Sequence, residues 1–291
     1  MTVKGQCADR QTLTEWFELH GRDLPWRHSR DPWTILISET MLQQTQVVRV
    51  VERLGPFMER FPSPEAMAAA SAGDVITEWS GLGYNRRAVA LHRTAQAIYE
   101  LHGGVVPSAL ADLLALPGVG PYTARAVRVF AFELDDAVVD TNIGRVLARW
   151  ENRSLKPAEA QDFANSLVRR GGAWIWNQSI MELGALLCRP QPHCAACPVS
   201  RDCGWFLAGQ PTPDPASRTA GVTTGQSRFE GSDRQGRGRL MRHLARQDVD
   251  EANLDDAMGW PGDPARADRV VQGMVTDGLV ERLGTSYRLP A

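Results

Sequence analysis

Apolar residues recur at helical spacing along most of the first 206 positions of this chain. No segment in this part alternates apolar and polar residues in the way that a half-buried strand does. Short segments such as FPSPEA, HGGVVPSA and ELDDAVVD carry Pro, Gly and Asp, and they predict short connecting loops. The pattern therefore predicts an all-α body, with helices over 11–20, 33–53, 64–79, 86–103, 108–115, 122–132, 142–151, 157–170 and 173–187.

The composition changes after residue 206. Residues 207–229 are rich in Pro, Gly, Ser and Thr, which is typical of a linker. The residues that follow predict three short helices and a hairpin around Leu283 and Gly284. We therefore expect a core over 1–206, a linker, and a small winged-helix-like module over 230–291.

Length and charge limit the classes of protein to consider. The chain has 291 residues, of which 43% are hydrophobic, and this is enough for one large domain and a smaller one. No uncharged apolar run reaches the roughly 18 residues of a membrane span, and the first residues lack the apolar segment of a secretion signal. We expect a cytoplasmic protein with no membrane partner. The net charge is −2, so a nucleic-acid-binding face must be local.

Four cysteines lie close together after the last predicted helix of the body. They form a C-x5-C-x2-C-x5-C pattern of Cys188, Cys194, Cys197 and Cys203. In a cytoplasmic protein, clustered thiols are typical of metal ligands rather than disulfides. Four thiolates suit either a 4Fe-4S cluster or structural zinc, and the spacing alone leaves both open. Cys7 stands apart, and we interpret it as an ordinary thiol.

The stretch LPGVGPYTA at 116–124 lies between two predicted helices. Gly118 and Gly120 allow a tight turn with unshielded backbone amides, and Pro121 is suited to the first position of the next helix. Exposed amides at the start of a helix attract anions, and a DNA phosphate is the natural anion for such a hairpin. A plain αα-hairpin that uses glycine only for its geometry is the alternative.

Two carboxyl groups stand at unusual positions. Glu39 falls inside the apolar segment WTILISETMLQQTQVV, where apolar neighbours favour the protonated form that a general acid needs. The alternative is a solvated helix residue. Asp140 stands between an apolar run and a predicted helix, which indicates an N-cap. Capping is compatible with catalysis, because a capped carboxylate stays ionised and fixed.

Six motifs in order resemble one family. They are LPWR, SETMLQQTQV, GLGYNRRA, LPGVGPYTA, VVDTNIGRVLAR and MELGALLC with the cysteines that follow. Together they resemble the helix-hairpin-helix base-excision DNA glycosylases, and within them the MutY-type adenine glycosylases, over residues 10–206. The resemblance implies two helical subdomains with the active site between them, a 4Fe-4S cluster on the cysteines, and release of adenine mispaired with 8-oxoguanine or guanine in double-stranded DNA. The first cysteine gap is five residues here, where the family usually has six.

The resemblance also implies roles for single residues. Glu39 would protonate the leaving adenine, and Asp140 would stabilise the cationic sugar. Gln44 and Tyr84 would wedge the base stack while the adenine is flipped out. Further substrate or DNA contacts are implied for Arg22, Leu24, Trp26, Arg27, Gly118, Val119, Gly120, Asn142 and Glu182. Trp26 would stack on the base, and Glu182 would accept a hydrogen bond from its exocyclic amine.

Tyr122 stands where bifunctional relatives similar to endonuclease III carry a lysine. Tyrosine cannot form the Schiff base that leads to strand cleavage, and the only lysines of the chain, Lys4 and Lys156, lie outside the motifs. The resemblance therefore implies a monofunctional, monomeric enzyme of the bacterial cytoplasm, associated with the nucleoid when bound to DNA. A thymine or uracil mismatch glycosylase of the same superfamily is the alternative. A DNA-binding protein without catalysis and a zinc-type adaptor are more distant ones.

Overall fold

The computed structural model describes residues 10–221 and 228–291. This part of the chain is mainly helical, as the pattern predicts. The helices are α1 (Arg10–His20), α2 (Pro32–Leu42), α3 (Val47–Arg60), α4 (Pro64–Ala68), α5 (Ala72–Glu78), α6 (Arg86–His102), α7 (Leu110–Ala115), α8 (Pro121–Phe130), α9 (Thr141–Trp150), α10 (Pro157–Leu167), α11 (Ala173–Leu186), α12 (Gly204–Leu207), α13 (Asp233–Leu244), α14 (Leu254–Met258) and α15 (Pro264–Thr276). The strands are β1 (Val249–Asp250), β2 (Glu281–Leu283) and β3 (Ser286–Arg288).

Two of the predicted helices are each divided into two. The stretch predicted over 33–53 breaks between α2 and α3, where Gln44 adopts a left-handed backbone with φ 57°. The stretch predicted over 64–79 breaks at Ser71, which begins α5 through a capping box with Asp74. In such a box the Ser side chain and the acidic side chain each accept a hydrogen bond from the other residue's backbone amide, which fixes a new helix start.

The described residues fall into two compact units. The first contains those of Met1–Ile35, Ser108–Leu110 and Gly120–Gly225, and the second contains those of Leu36–Pro107, Ala111–Val119 and Gln226–Ala291. The C-terminal residues therefore group with α3 to α7, whereas the expected division treats them as a separate module. The boundaries of the expected domains remain a prediction.

The first unit is built around α11, which packs against α1, α8 and α9. Polar residues of α11 are nevertheless buried, among them Asn177, Gln178 and Glu182. Asn177 shows how this is tolerated, because its amide donates to the Asp136 and Ala173 carbonyls and accepts from the Val138 amide. Buried polar groups are stable when they are hydrogen-bonded in this way.

The start of the predicted linker packs on the first unit. Asp214 forms an ion pair with the buried Arg149, at 2.6 Å. The Ala220 amide donates to the Leu155 carbonyl at 2.9 Å, and the Thr141 hydroxyl donates to the Gly221 carbonyl. The rest of the expected linker, residues 222–227, lies outside the described residues. The described part of this segment thus covers the start of α9.

In the second unit, α4 and α5 pack against α6, and the C-terminal elements form their own cluster of α13, α14 and α15. The hairpin predicted around Leu283 and Gly284 is confirmed as the β2–β3 pair, and β1 adds a third antiparallel strand in the order β1-β3-β2. The short β1 was not predicted. The winged-helix assignment remains a prediction.

Two contacts join the C-terminal cluster to the helices of this unit. The Gly73 amide donates to the Pro290 carbonyl at 2.8 Å. Asp277 pairs with both Arg86 of α6 and Arg237 of α13. Arg237 is therefore engaged within the protein. Among the described residues no helix combines the length and apolarity needed to cross a membrane.

Candidate active site

Asp140 caps α9, as predicted. Its Oδ1 accepts from the Ile143 amide at 2.7 Å, and its Oδ2 accepts from Asn142 Nδ2 at 2.9 Å. The residue is half-buried, and burial raises the pKa of its carboxyl above the usual range, while the hydrogen bonds from Ile143 and Asn142 oppose that rise. Capping alone was expected to keep Asp140 ionised, so the structure corrects that expectation by adding the larger effect of burial.

A chain of hydrogen bonds continues from Asp140 through α9. Arg145 Nη2 donates to Asn142 Oδ1 at 2.9 Å, and Arg145 Nε donates to the carbonyl of Cys188. Arg145 is buried, and Nη2 also reaches the Gly184 carbonyl at 2.7 Å. The position of Asn142, and through it that of the Asp140 carboxyl, is therefore tied to the first cysteine of the loop.

Arg22, Arg27 and Glu182 form a buried ionic network. Glu182 Oε1 accepts from the backbone amide and Nε of Arg22, at 2.9 and 2.7 Å, and its Oε2 accepts from Arg22 Nη2 and Arg27 Nη2, at 2.9 and 2.6 Å. Burial acts to raise the pKa of Glu182, but the hydrogen bonds from the two arginines outweigh it and lower that pKa to about 2. Glu182 is thus a carboxylate throughout the neutral range.

This network changes the expected role of Glu182. A carboxylate has about four lone-pair sites, and all of them are used by Arg22 and Arg27. To accept from an adenine amine, Glu182 must first lose one of these contacts. Leu24 and Trp26, which are expected near the base, are buried, with 7% and 6% of their surfaces exposed. Trp26 lies in the short 3-10 helix Pro25–Arg27, and Leu24 directly precedes it. The Arg22 side chain, at 37% exposure, is the most accessible part of the network.

Glu39 lies in the middle of α2 and is buried, with 4% of its surface exposed. Its helix neighbours Ile35, Leu36 and Ile37 are buried as well. The alternative interpretation of Glu39 as a solvated helix residue is therefore wrong. A carboxyl that is shielded from water suits a general acid.

The two expected wedge residues lie on turns of the second unit. Gln44 is exposed between α2 and α3, and Tyr84 is 41% exposed just before α6. Both have left-handed backbones, with φ 57° and 48°. This conformation is uncommon for residues other than glycine.

The hairpin glycines serve different needs. Gly118 has φ +75°, and a Cβ there would come within 2.7 Å of the Ala90 side chain. Gly120 is the N-cap of α8, where no side chain caps the helix and a Cβ would meet nothing within 4 Å. Val119 is buried, and Tyr122 is half-buried in the first turn of α8. Geometry therefore requires the first glycine, whereas open space at the second leaves the α8 amides approachable.

The four predicted cysteines line one cavity, beside the apolar side chains of Trp205 and Phe206. Arg149 Nη1 donates to Cys188 Sγ at 3.3 Å, and Gln210 Nε2 donates to Cys194 Sγ at 3.4 Å. Each cysteine is free of a disulfide. In the described part of the chain no three Cys, His, Asp or Glu side chains are grouped closely enough to hold a metal ion. The donor types and N–H···S hydrogen bonds nevertheless fit an iron-sulfur cluster.

Several functional contacts were not predicted. Arg87, Arg145 and Arg149 lie within the quoted motifs, but no role was predicted for them. Arg145 and Arg149 lie one turn apart on the apolar face of α9, and charged residues at such positions indicate buried, hydrogen-bonded groups. Gln178, which accepts from Arg27 Nε at 2.9 Å, carried no signal beyond its place in the apolar α11.

Several known proteins are similar to this chain in sequence or in fold. Residues 37–170 match the model of the HhH-GPD superfamily base excision DNA repair proteins. The adenine DNA glycosylase of Mycobacterium tuberculosis is 42% identical over 280 residues, covering 93% of this chain and 89% of the relative. That of Mycolicibacterium smegmatis is 41% identical over 278 residues, covering 93% and 92%. A thermostable thymine-DNA glycosylase structure aligns with a TM-score of 0.64 and 30% identity, over 68% of this chain and 95% of its own.

Proposed function

This chain belongs to the adenine DNA glycosylases of the HhH-GPD superfamily, and from that premise we propose that it hydrolyses the N-glycosidic bond of adenine mispaired with 8-oxoguanine or guanine. The observation that carries the proposal is the contrast between two carboxyl groups. Glu39 is buried in the middle of α2, whereas Asp140 is half-buried and accepts hydrogen bonds from Ile143 and Asn142 at the start of α9. Such a difference in environment separates an acid from a charge stabiliser.

The two groups would divide the reaction between them. Adenine leaves poorly as an anion, so Glu39 donates a proton to a ring nitrogen of the base as the bond to the sugar breaks. The sugar develops positive charge, which the ionised Asp140 stabilises until water adds at the anomeric carbon and gives its extra proton to the Glu39 carboxylate, which restores the acid. Asn142 holds the Asp140 carboxyl through its amide. The Arg22, Arg27 and Glu182 network, with Trp26 and Leu24 beside it, supports the wall against which the flipped base binds.

The DNA contacts would be of two kinds. The amides at Gly118, Gly120 and the start of α8 bind a backbone phosphate without regard to sequence, whereas the Val119 amide already donates to the Leu116 carbonyl at 3.2 Å. Gln44 and Tyr84 enter the base stack, since both side chains are exposed at the tips of turns. We propose a monomer that acts on the chromosome in the bacterial cytoplasm, with double-stranded DNA as its partner and no membrane involved.

A thymine or uracil mismatch glycosylase is the second candidate, because the thermostable thymine-DNA glycosylase is 30% identical to this chain. That similarity extends over 68% of the chain, whereas the mycobacterial adenine glycosylases match 93% of it. Duplexes with A opposite 8-oxoguanine and with T opposite guanine separate the two, and we expect release from the first only.

The enzyme is expected to release adenine without cutting the strand. Tyr122 stands at the start of α8 where a Schiff base would need an amine, and the exposed Lys156 lies at the start of α10. Product DNA should therefore break only after alkali or heat, and borohydride should trap almost no covalent complex. Lys156→Arg is the matched control. Strong trapping by the native enzyme that disappears in this variant would contradict base release without lyase chemistry.

We propose that Cys188, Cys194, Cys197 and Cys203 hold a 4Fe-4S cluster. When bound, the cluster would join the four thiolates and so fix the loop over 188–203. Burial raises the pKa of Cys197 to about 12, so the thiolate form requires a bound metal. Protein purified without oxygen is expected to be brown and to contain about four irons per chain. One zinc per colourless chain would contradict the cluster and favour the zinc alternative.

A further inference from the structure

Gln44 and Tyr84 are held in backbone conformations that cost free energy. Their φ values are 57° and 48°, in the left-handed region. For residues other than glycine this conformation is strained, and such strain persists only where the surroundings enforce it. Neither residue is in the core, since Gln44 is exposed and Tyr84 is 41% exposed. Something other than burial of their own side chains must therefore fix the two turns.

The first turn is fixed by the guanidinium of Arg87. Its Nη1 lies within hydrogen-bond distance of the carbonyls of Thr40, Met41 and Gln43, at 2.7, 2.9 and 2.7 Å. These carbonyls belong to the last turn of α2 and the residues after it, where no further helix turn supplies donors. A cation at the end of a helix also interacts favourably with its dipole. The Arg87 side chain therefore stabilises the C-terminal end of α2, directly before Gln44.

The second turn is fixed by the other nitrogen of the same group. Arg87 Nη2 donates to the carbonyls of Leu82 and Gly83, at 3.1 and 2.9 Å, directly before Tyr84. It also donates to Thr45 Oγ1 at 2.9 Å, and the Thr45 hydroxyl in turn donates to the Leu82 carbonyl at 3.1 Å. One planar group thus connects the residues that flank Gln44 with those that precede Tyr84.

The surroundings of Arg87 keep this cation in place. Its guanidinium lies 5.1 Å from the ring centre of Trp79 and 5.7 Å from that of Tyr84. Burial lowers the pKa of Arg87 to about 10, which leaves it charged at neutral pH. Its Nε is buried and has no hydrogen-bond partner among the described residues. A lysine could not replace it, because a single ammonium cannot reach acceptors on both turns at once.

We propose that Arg87 is a positioning residue that holds Gln44 and Tyr84 together as one preformed wedge for opening the base stack. The inference rests on the proposed function, since it assigns a purpose to the two residues that the function places in DNA. With Arg87 present, both turns are already ordered before DNA binds. Without it, each turn relaxes from its left-handed conformation, and the enzyme must order them while it flips the base.

The test uses full-length Arg87→Met, which keeps an unbranched apolar stem but removes the guanidinium donors, and Arg87→Lys, which keeps the charge. Arg86→Met is the matched control, because Arg86 directly precedes Arg87 in the sequence. Its side chain is 71% exposed and pairs with Asp277 rather than with either turn. The readout of base opening is 2-aminopurine placed beside the target base, whose fluorescence rises when stacking is lost. This arm needs no base release, so it remains informative even if the proposed reaction fails.

We expect the native enzyme and Arg86→Met to raise the fluorescence equally on binding, and both Arg87 variants to raise it much less. Single-turnover release from A opposite 8-oxoguanine should fall about tenfold in Arg87→Met. Release of an adenine that is already unpaired in a bulge should fall much less. Native opening in the Arg87 variants would overturn the proposal. So would an equal loss on paired and bulged adenine, because it would indicate a general defect of folding or chemistry.

Discussion

Glu39→Gln is expected to release almost no adenine while it still binds duplex DNA. The amide keeps the size of the buried side chain but has no proton to give to the departing base. General acid catalysis contributes about 10²–10⁴ in rate, and we expect a loss in that range. Single-turnover release and duplex affinity, measured on the same preparation, check this expectation.

Glu59→Gln is the matched control, since Glu59 is an exposed glutamate of α3 in the same unit. It should act like the native enzyme in both assays. Glu39 is not the general acid if Glu39→Gln releases adenine at the native rate. A parallel loss of DNA affinity and melting temperature would likewise point to a folding defect instead of lost chemistry.

Asp140→Asn is expected to lower the rate about 10²–10³-fold, the usual effect of removing one group that stabilises charge in a transition state. Asparagine caps helices about as well as aspartate, so the hydrogen bond from the Ile143 amide can survive. Melting temperature should therefore change little. Asp162→Asn, at an exposed position of α10 in the same unit, is the matched control.

The pH dependence of the native rate tests the same residue. Asp140 acts as a carboxylate, so the rate should fall as the pH falls through its pKa. Because burial raises that pKa, the fall should begin at a higher pH than for an ordinary aspartate. This limb should be absent from the residual rate of Asp140→Asn. A native rate that stays constant down to the usual aspartate range would contradict the assignment.

Local patterns predicted most of the helices, and tertiary contacts explain where they failed. The break at Gln44 depends on Arg87, more than forty positions along the chain, whose donors replace the hydrogen bonds of a longer helix. The break at Ser71 had a local signal, since Ser71 and Asp74 form a capping box, but helical periodicity across it masked that signal. The two-residue β1 has no periodicity to detect and exists because it pairs with β3.

The site was predictable to the extent that its residues stand in motifs. The Asp140 cap and the burial of Glu39 follow from apolar patterns beside them, and the structure confirms both. The contacts of Glu182 could not be predicted, because Arg22 and Arg27 lie 160 and 155 positions away in sequence. Burial likewise decides the direction in which the pKa of Asp140 shifts. The extent of burial depends on packing between distant segments, which a single sequence does not show.

The central claim is removal of mispaired adenine by Glu39 and Asp140. Single-turnover release measured on matched duplexes, with A opposite 8-oxoguanine, A opposite guanine, A opposite thymine and T opposite guanine, tests it most directly. We predict adenine release from the first two duplexes, no release from the others, and no strand break before alkali. Release of thymine from the T·G duplex, with both adenine mispairs left intact, would contradict the account.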